Sequence, residues 1–364
     1  MSMTEMVLAL GLMSGTSLDG IDAALVCTDG RERVWTGVHL TLPYDDGFRD
    51  RLRAVLGRVG GAEVRAVEGE LTRLHARAVA ALLDQAGVAP RDVDLIGFHG
   101  HTIHHAPHQG VTRQIGDGAL LADLTGIPVV NDFRSADVAA GGQGAPLVPL
   151  FHRALAARLP RPVALLNIGG VANVTWLGRD ADAVLGFDTG PGNALIDDWV
   201  RAKAGLAYDD GGALAARGTV DMAVLDALMA HPYFAAAAPK SLDRDAFNPA
   251  PVAHLSPADG AATLTHFTAA AVAAGLAHLP AAPRTWLACG GGRHNATLMR
   301  ALSDRLGVSV DSVDDLGWSG DALEAQAFGY LAVRSRLGLP LSLPGTTGVP
   351  APQTGGQFHP PPRV

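Results

Sequence analysis

Apolar residues along the 364-residue chain are grouped in short runs that stop at glycine-rich turns. Val7 to Met13 is one such run; it breaks at Ser14-Gly15-Thr16-Ser17-Leu18-Asp19-Gly20, and a second run, Ile21 to Val26, follows at once. That is a hairpin pattern. Val34 to Leu42 reads as a further strand. Asp50 to Leu56 and Val64 to Gln85 carry apolar residues at helical spacing, Val64, Val67, Leu71, Leu74 and Leu82 in the longer one, which Gly87 closes. Val93 to Phe98 is a short buried strand leading into a loop, His99-Gly100-His101-Thr102-Ile103-His104-His105. Ile127 to Asn131 is another, running into Asp132-Phe133-Arg134 and the pair Gly141-Gly142.

The second half restarts the pattern. Val163 to Ile168 meets Gly169-Gly170 and continues as Val171 to Leu177, an outline of the opening hairpin. Ala183 to Phe187 ends in Asp188-Thr189-Gly190-Pro191-Gly192-Asn193, ahead of a helix from Ala194 to Lys203. Thr285 to Ala288 runs into Cys289-Gly290-Gly291-Gly292, ahead of the helix Asn295 to Leu306, and a last helix spans Asp321 to Leu337. Strands alternating with helices predict an α/β fold. Glycine turns after strands are where α/β sheets take phosphates, so four such turns point to a nucleotide held in a cleft between two similar lobes. The competing reading is that 44 glycines make turns of this kind by chance.

Composition narrows the partners. A chain of this length exceeds one small core and fits two lobes. Hydrophobic content of 48%, charged content of 18% and a mean hydropathy of +0.18 describe a compact soluble protein. The formal net charge of -8 argues against nucleic acid or an anionic membrane as the main partner. Cys27 and Cys289 stand far apart, so neither a disulfide framework nor a cysteine zinc site is expected. The N-terminus carries Glu5 and no basic residue before a short apolar run, and so does not read as a signal peptide. The alanine-rich segment Ala261 to Leu279, broken by Thr265, His266 and Thr268, suits a buried helix better than a membrane span. A cytoplasmic protein is expected.

The phosphate chemistry is constrained by what is missing. Lys203 and Lys240 are the only lysines, and no G-x-x-x-x-G-K-[ST] motif occurs, which excludes a P-loop. No G-x-G-x-x-G opens a helix after the first strand either. What remains is a site built from backbone N–H groups, hydroxyls and a carboxylate-held magnesium. Seven motifs then resemble the anhydro-N-acetylmuramic acid kinase family: MSGTSLDGID at 13–22, VNDFRSADVAAGGQGAPLVP at 130–149, NIGGVANVT at 167–175, GFDTGPGN at 186–193, PKS at 239–241, ACGGGRHN at 288–295 and LPGTTGV at 343–349. They run in order over nearly the whole chain.

The resemblance implies two duplicated actin-like (ribonuclease H-like) lobes closing on ATP. Residues 1–135, completed by the C-terminal helix 321–338, are expected to form the first lobe, 136–350 the second, and 351–364 a loose Pro/Gly-rich tail. It also implies an enzyme of peptidoglycan recycling that uses ATP and water to convert a 1,6-anhydro sugar to N-acetylmuramic acid 6-phosphate. Asp188 matches the family's catalytic aspartate in DTGPGN; a turn-capping carboxylate is the plain alternative. Ser14, Gly15, Thr16, Ser17, Leu18, Asp19 and Gly20 would cradle the β- and γ-phosphates, with Asp19 near Mg2+. Asn167, Gly169 and Gly170 would form a second phosphate turn, and Gly290, Gly291 and Gly292 would line the adenosine side.

For the amino sugar, Arg134 is a candidate for the lactyl carboxylate, against the alternative of a structural pair with Asp132. Glu324 is a candidate acceptor for sugar hydroxyls, against that of an exposed helix residue. Asn193 and Asp197 are candidates for positioning substrate or Asp188. His101 and Thr102 belong to the loop that the resemblance places at the sugar pocket. His101 stands where family members usually have glutamine, and imidazole imitates only part of an amide's donor and acceptor pair. The histidines 99, 101, 104, 105 and 108 invite a metal reading, but no acidic companion is near in sequence. Leu242-Asp243-Arg244 also departs from the family's usual Thr-Gly-Arg, away from the expected chemistry. The family tends to form dimers, although no feature of this sequence derives that. Two other readings stay open: an actin- or chaperone-like ATPase driving a conformational cycle, and a related sugar kinase without ring opening.

Overall fold

The computed structural model describes residues 5–362 except Thr16, Ala181 and Asp245. The chain divides into two compact units, residues 1–158 with 322–364, and residues 159–321.

The first unit holds strands β1 (Val7–Ser14), β2 (Gly20–Thr28), β3 (Val34–Pro43), β4 (Leu95–Ala106), β5 (Val111–Ile115) and β6 (Val129–Asn131). The second holds β7 (Val163–Ile168), β8 (Val171–Leu177), β9 (Val184–Pro191), β10 (Thr285–Cys289) and β11 (Val310–Ser312), and β12 (Gln357–His359) returns to the first. One sheet runs β12-β6-β4-β1-β2-β3 with β5 on β4; the other runs β11-β10-β7-β8-β9. The order β6-β4-β1-β2-β3 is repeated by β11-β10-β7-β8-β9, with the same two antiparallel hairpin pairings followed by two parallel ones. The fold is therefore α/β with two duplicated sheets of ribonuclease H-like order.

Local chemistry explains the elements. Helix Ala62–Ala86 buries Val64, Val67, Leu71, His75, Ala78, Val79 and Leu82 on one stripe and ends at Gly87 in a left-handed conformation, φ 65°. Helix Pro257–Ala274 begins with proline after Ser256, whose hydroxyl accepts from the Asp259 N–H at 3.1 Å. Extended by a turn to His278, it is long and apolar enough to cross a membrane, yet most of it is buried in the second unit, so it is a core helix there.

Helix Leu323–Arg336 packs across β1, β2 and β4. A Cβ on Gly11 would lie 1.7 Å from the Ala325 carbonyl oxygen, and one on Gly97 would lie 2.0 Å from that of Phe328. Glycine at these two positions lets the helix backbone touch the sheet backbone.

Three expectations need correction. The division at residue 135 is displaced to 158, because Phe151 of helix Pro149–Leu155 packs on Tyr330 and Asp137 bonds to Ser342 and Thr347, all in the first unit. The tail is not loose as far as residue 362: β12 pairs antiparallel with β6, His359 bonds Asn131 at 2.9 Å, and the Arg336 guanidinium lies 3.8 Å from the Phe358 ring centre. The histidine-rich stretch is strand, not loop. Its residues alternate along β4, and β5 pairs with it.

Gly97→Ala is expected to cost about 1–3 kcal/mol through overpacking and to lower the thermal midpoint without changing the secondary structure seen by circular dichroism. The first unit also buries four neutral histidines. Burial holds His75 and His101 down at about 4, His152 at about 3 and His99 well below its usual value. The unfolded chain therefore binds more protons than the fold below pH 6.5. Stability should be flat above pH 7 and fall as pH drops from 6.5 towards 4, checked by thermal melts across that range.

Candidate active site

Within the first unit, the β1–β2 turn is the candidate phosphate cradle. Leu18 closes it in a left-handed conformation, φ 60°, with its N–H on the Gly15 carbonyl at 3.2 Å and its own carbonyl held by Arg49 Nε at 2.9 Å. A branched residue in that conformation is strained, and a turn tied at both ends sustains it. Asp19 is exposed; its Oδ1 accepts from Ser17 Oγ at 2.7 Å and from the Gly20 N–H at 3.0 Å. Thr16 lies outside the described residues.

Ser14, at the end of β1, is buried and its Oγ meets Tyr44 Oη at 2.7 Å and His101 Nδ1 at 2.9 Å. The His101 ring is wholly buried, with no hydrogen-bond partner for Nε2. His101 thus braces the β1–β2 turn through Ser14. Its neighbour Thr102 is half-buried and accepts from Gln114 Nε2 at 3.0 Å.

Arg134 is held two residues before His101 on β4, at His99. Arg134 Nε donates to His99 Nε2 at 3.0 Å, and His99 Nδ1 donates to the Gly100 carbonyl at 2.9 Å, which fixes the tautomer. Arg134 Nη1 donates to the Gly144 carbonyl at 2.7 Å. Asp132 instead takes Ser135 Oγ at 2.5 Å, so the alternative of an Asp132–Arg134 pair gives way to these contacts. Glu324 is half-buried and not an exposed helix residue; burial raises its carboxyl, and the nearby Arg134 charge opposes that rise.

The second unit gathers the other candidates. The Gly169 carbonyl accepts from the Asn193 N–H at 2.8 Å and that of Gly170 from the Gly192 N–H at 2.9 Å, so the glycine pair between β7 and β8 is sewn to the turn after β9. Asn193 Nδ2 donates to the Ile168 carbonyl at 3.2 Å. Gly290, with φ +74°, lies where a Cβ would be 2.4 Å from Asn167 Oδ1, and a Cβ on Gly292 would be 2.3 Å from Ile168 Cγ2. Asn167, Gly169, Gly170, Asn193, Gly290, Gly291 and Gly292 therefore form one backbone-rich surface. Arg293 secures it from behind: buried, it takes both Asp321 oxygens at 2.7 and 2.8 Å, Asp314 at 2.6 Å and the Gly290 carbonyl at 3.0 Å.

Asp188 is buried near the end of β9. Its N–H donates to the Lys240 carbonyl at 3.0 Å, its carbonyl accepts from Tyr233 Oη at 2.6 Å, and Oδ2 accepts from the Leu242 N–H at 2.7 Å. The segment after PKS thus lies on the candidate catalytic carboxylate rather than away from it. Because the contact is made by a main-chain N–H, a different side chain at 242 leaves it intact. Asp197 is half-buried on helix Ala194–Ala204; burial lifts its carboxyl to about 6, with Asp198 and Asp209 pushing the same way against Arg201 and Arg244.

Sequence reasoning missed Tyr44, Tyr233 and Arg293. Arg293 had a signal, as a charged residue directly after three glycines, whereas the tyrosines lie in segments without a motif.

The model of the anhydro-N-acetylmuramic acid kinase family matches residues 7–361. The chain belongs to this family. Relatives named anhydro-N-acetylmuramic acid kinase include that of Rhodospirillum rubrum, 57% identical over 97% of this chain and 94% of the relative, and that of Rhizorhabdus wittichii, 54% identical over 99% and 100%. Among solved structures, the activator of the 2-hydroxyisocaproyl-CoA dehydratase from Clostridium difficile with bound ADPNP is 12% identical over 91% of this chain and 96% of that one, with a TM-score of 0.48. A glucokinase of the ROK family from Streptomyces griseus in complex with glucose and AMPPNP is 14% identical over 89% and 99%, with a TM-score of 0.38. Membership in the anhydro-N-acetylmuramic acid kinase family makes the protein a kinase.

If the surface is as described, Gly290→Val should raise the KM for nucleotide at least tenfold, since its Cβ would displace Asn167 and φ +74° disfavours a branched residue. Initial-rate kinetics against nucleotide concentration check this.

Proposed function

We propose that the protein is an ATP-dependent kinase that opens 1,6-anhydro-N-acetylmuramic acid hydrolytically and phosphorylates it to N-acetylmuramic acid 6-phosphate, a step of peptidoglycan recycling in the cytoplasm. The observation that carries the reading is Asp188: in a member of this kinase family, a buried carboxylate stands within β9, three residues before its end, with its oxygen aimed by the Leu242 N–H at 2.7 Å. A carboxylate held by a main-chain N–H is oriented, as a general base requires.

In the proposed step a water oxygen attacks the anomeric carbon while Asp188 takes its proton. The bond from that carbon to O6 breaks, and O6 attacks the γ-phosphorus of ATP as ADP leaves. Phosphoryl transfer to O6 thereby replaces the acid that an inverting glycosidase supplies to its leaving group. The backbone groups from Ser14 to Gly20 bind the β- and γ-phosphates. Asn167, Gly169 and Gly170 form a second phosphate turn, and Gly290 to Gly292 take the adenosine. Arg134 binds the lactyl carboxylate, Glu324 accepts from sugar hydroxyls, and Asn193 and Asp197 support the turn after Asp188.

Asp19 suits Mg2+. Hydroxyl and backbone donors engage its Oδ1, and Mg2+ takes most ligands from phosphate and water rather than from a protein cage. Among the described residues no group of three His, Cys, Asp or Glu forms such a cage. Held by Asp19, Mg2+ would supply charge neutralisation on the phosphates.

Asp188→Asn should lower kcat by about two to four orders of magnitude and leave ATP binding within about twofold. In 18O-water, mass spectrometry at early times should find the label on the anomeric oxygen and none in the phosphate. An undiminished kcat, or label in the phosphate, overturns the reading.

A further inference from the structure

Asp137 is a buried carboxylate on helix Ser135–Ala139 to which no role has been given so far. Its Oδ1 accepts from the Gly144 N–H at 2.6 Å; its Oδ2 accepts from Thr347 Oγ1 at 2.6 Å and from Ser342 Oγ. Its carbonyl accepts from the Gly142 N–H at 2.9 Å, and the Gln143 N–H donates to the Thr347 carbonyl at 2.7 Å. Two motifs that are distant in sequence, AAGGQG at 139–144 and LPGTTG at 343–348, therefore meet on one side chain. Gly144 itself sits at φ +67°, with its carbonyl on Arg134 Nη1 at 2.7 Å.

His99 and Gly144 both hold the guanidinium. His99 fixes the Nε edge and the Gly144 carbonyl fixes Nη1, with the Phe328 ring 6.0 Å away. The His99 anchor stands on β4, in the middle of a sheet. The Gly144 anchor stands on a glycine loop outside the strands and helices, whose neighbours Gly142 and Gln143 are tied to the Asp137 and Thr347 carbonyls, and Asp137 is what fastens the N–H of Gly144 itself.

We propose that Asp137 is a positioning residue for Arg134: it clasps Gly144 to the 342–347 segment and so sets the angle at which Arg134 presents its fork to the substrate carboxylate. This rests on the reading of Arg134 given above. Bidentate recognition of a carboxylate is directional, so a guanidinium with one loose anchor loses affinity for the sugar while the chemistry at Asp188 is spared. Mere loss of stability in the unit would not produce that split.

The test is a double-mutant cycle on the full-length chain, with KM for anhydro-N-acetylmuramic acid, KM for ATP and kcat measured for each variant. Arg134→Ala should raise the sugar KM at least tenfold. Asp137→Ala should raise it about three- to tenfold, with kcat and ATP KM within about twofold, and the double variant should match Arg134→Ala alone. Asp137→Asn keeps an acceptor for the Gly144 N–H, and the Ser342 and Thr347 hydroxyls can rotate to accept from the new amide, so it should restore the sugar KM. If Asp137→Ala does not fold, Thr347→Val takes its place in the cycle with the same non-additivity expected.

Additive effects, or an Asp137→Asn variant as impaired as Asp137→Ala, overturn the positioning role. An unchanged sugar KM in Arg134→Ala overturns instead the reading of Arg134 on which the inference rests.

Discussion

Backbone-to-backbone contact without an intervening Cβ, at Gly11 and Gly97, is the constraint on which the first unit depends. The Ala325 and Phe328 carbonyls occupy the space that side chains on β1 and β4 would fill. Helix Leu323–Arg336 therefore lies flush on the two central strands of the sheet, and its other faces are buried as well. Such an approach maximises dispersion contact, and it fixes the helix along its axis, because only the glycine positions admit it. Phe328 then stacks on His99 with ring centres 4.4 Å apart, and Glu324, one turn earlier, comes under the influence of Arg134. A helix from the far end of the chain thus completes the candidate sugar-recognition group through two residues that have no side chain.

Burial does the electrostatic work at that group. Desolvation keeps His99 neutral, and a neutral ring with its Nδ1 proton committed to Gly100 offers Nε2 as an acceptor for Arg134. A protonated ring in the same place would repel the guanidinium. Desolvation also raises Glu324, while the positive charge of Arg134 opposes the rise. The arrangement keeps one fixed cation beside one tunable carboxyl, which suits a ligand carrying both a carboxylate and hydroxyls.

The duplicated architecture was legible because it is written in apolar runs with punctuation. β7 and β8 have the expected bounds, and the glycine ends of the runs fall at the turns. Long helices with an apolar stripe were legible for the same reason. What escaped was structure whose stabilising partners are remote. The His99 to His105 stretch looks polar and loop-like, yet alternate residues enter the core once β5 pairs beside it. β12 is three residues among prolines and glycines, and only its pairing with β6 gives it form. The unit boundary could not be placed from local pattern, since Asp137 binds its segment to partners 205 and 210 residues away and Phe151 packs on Tyr330. Asp188 was legible as a candidate from its motif, although β9 runs on past it to Pro191, and its contact with Leu242 was not legible, because a main-chain donor leaves no mark in side-chain identity.

Two ways of holding a charged side chain separate function from structure here. Arg293 is spent on structure: two aspartates and a carbonyl engage its Nε, Nη1 and Nη2. Asp188 and Asp19 receive backbone N–H groups, which orient a carboxylate through partial charges. A chain with only two lysines presents N–H groups and hydroxyls at its candidate phosphate turns, whose dipoles require no counter-charge.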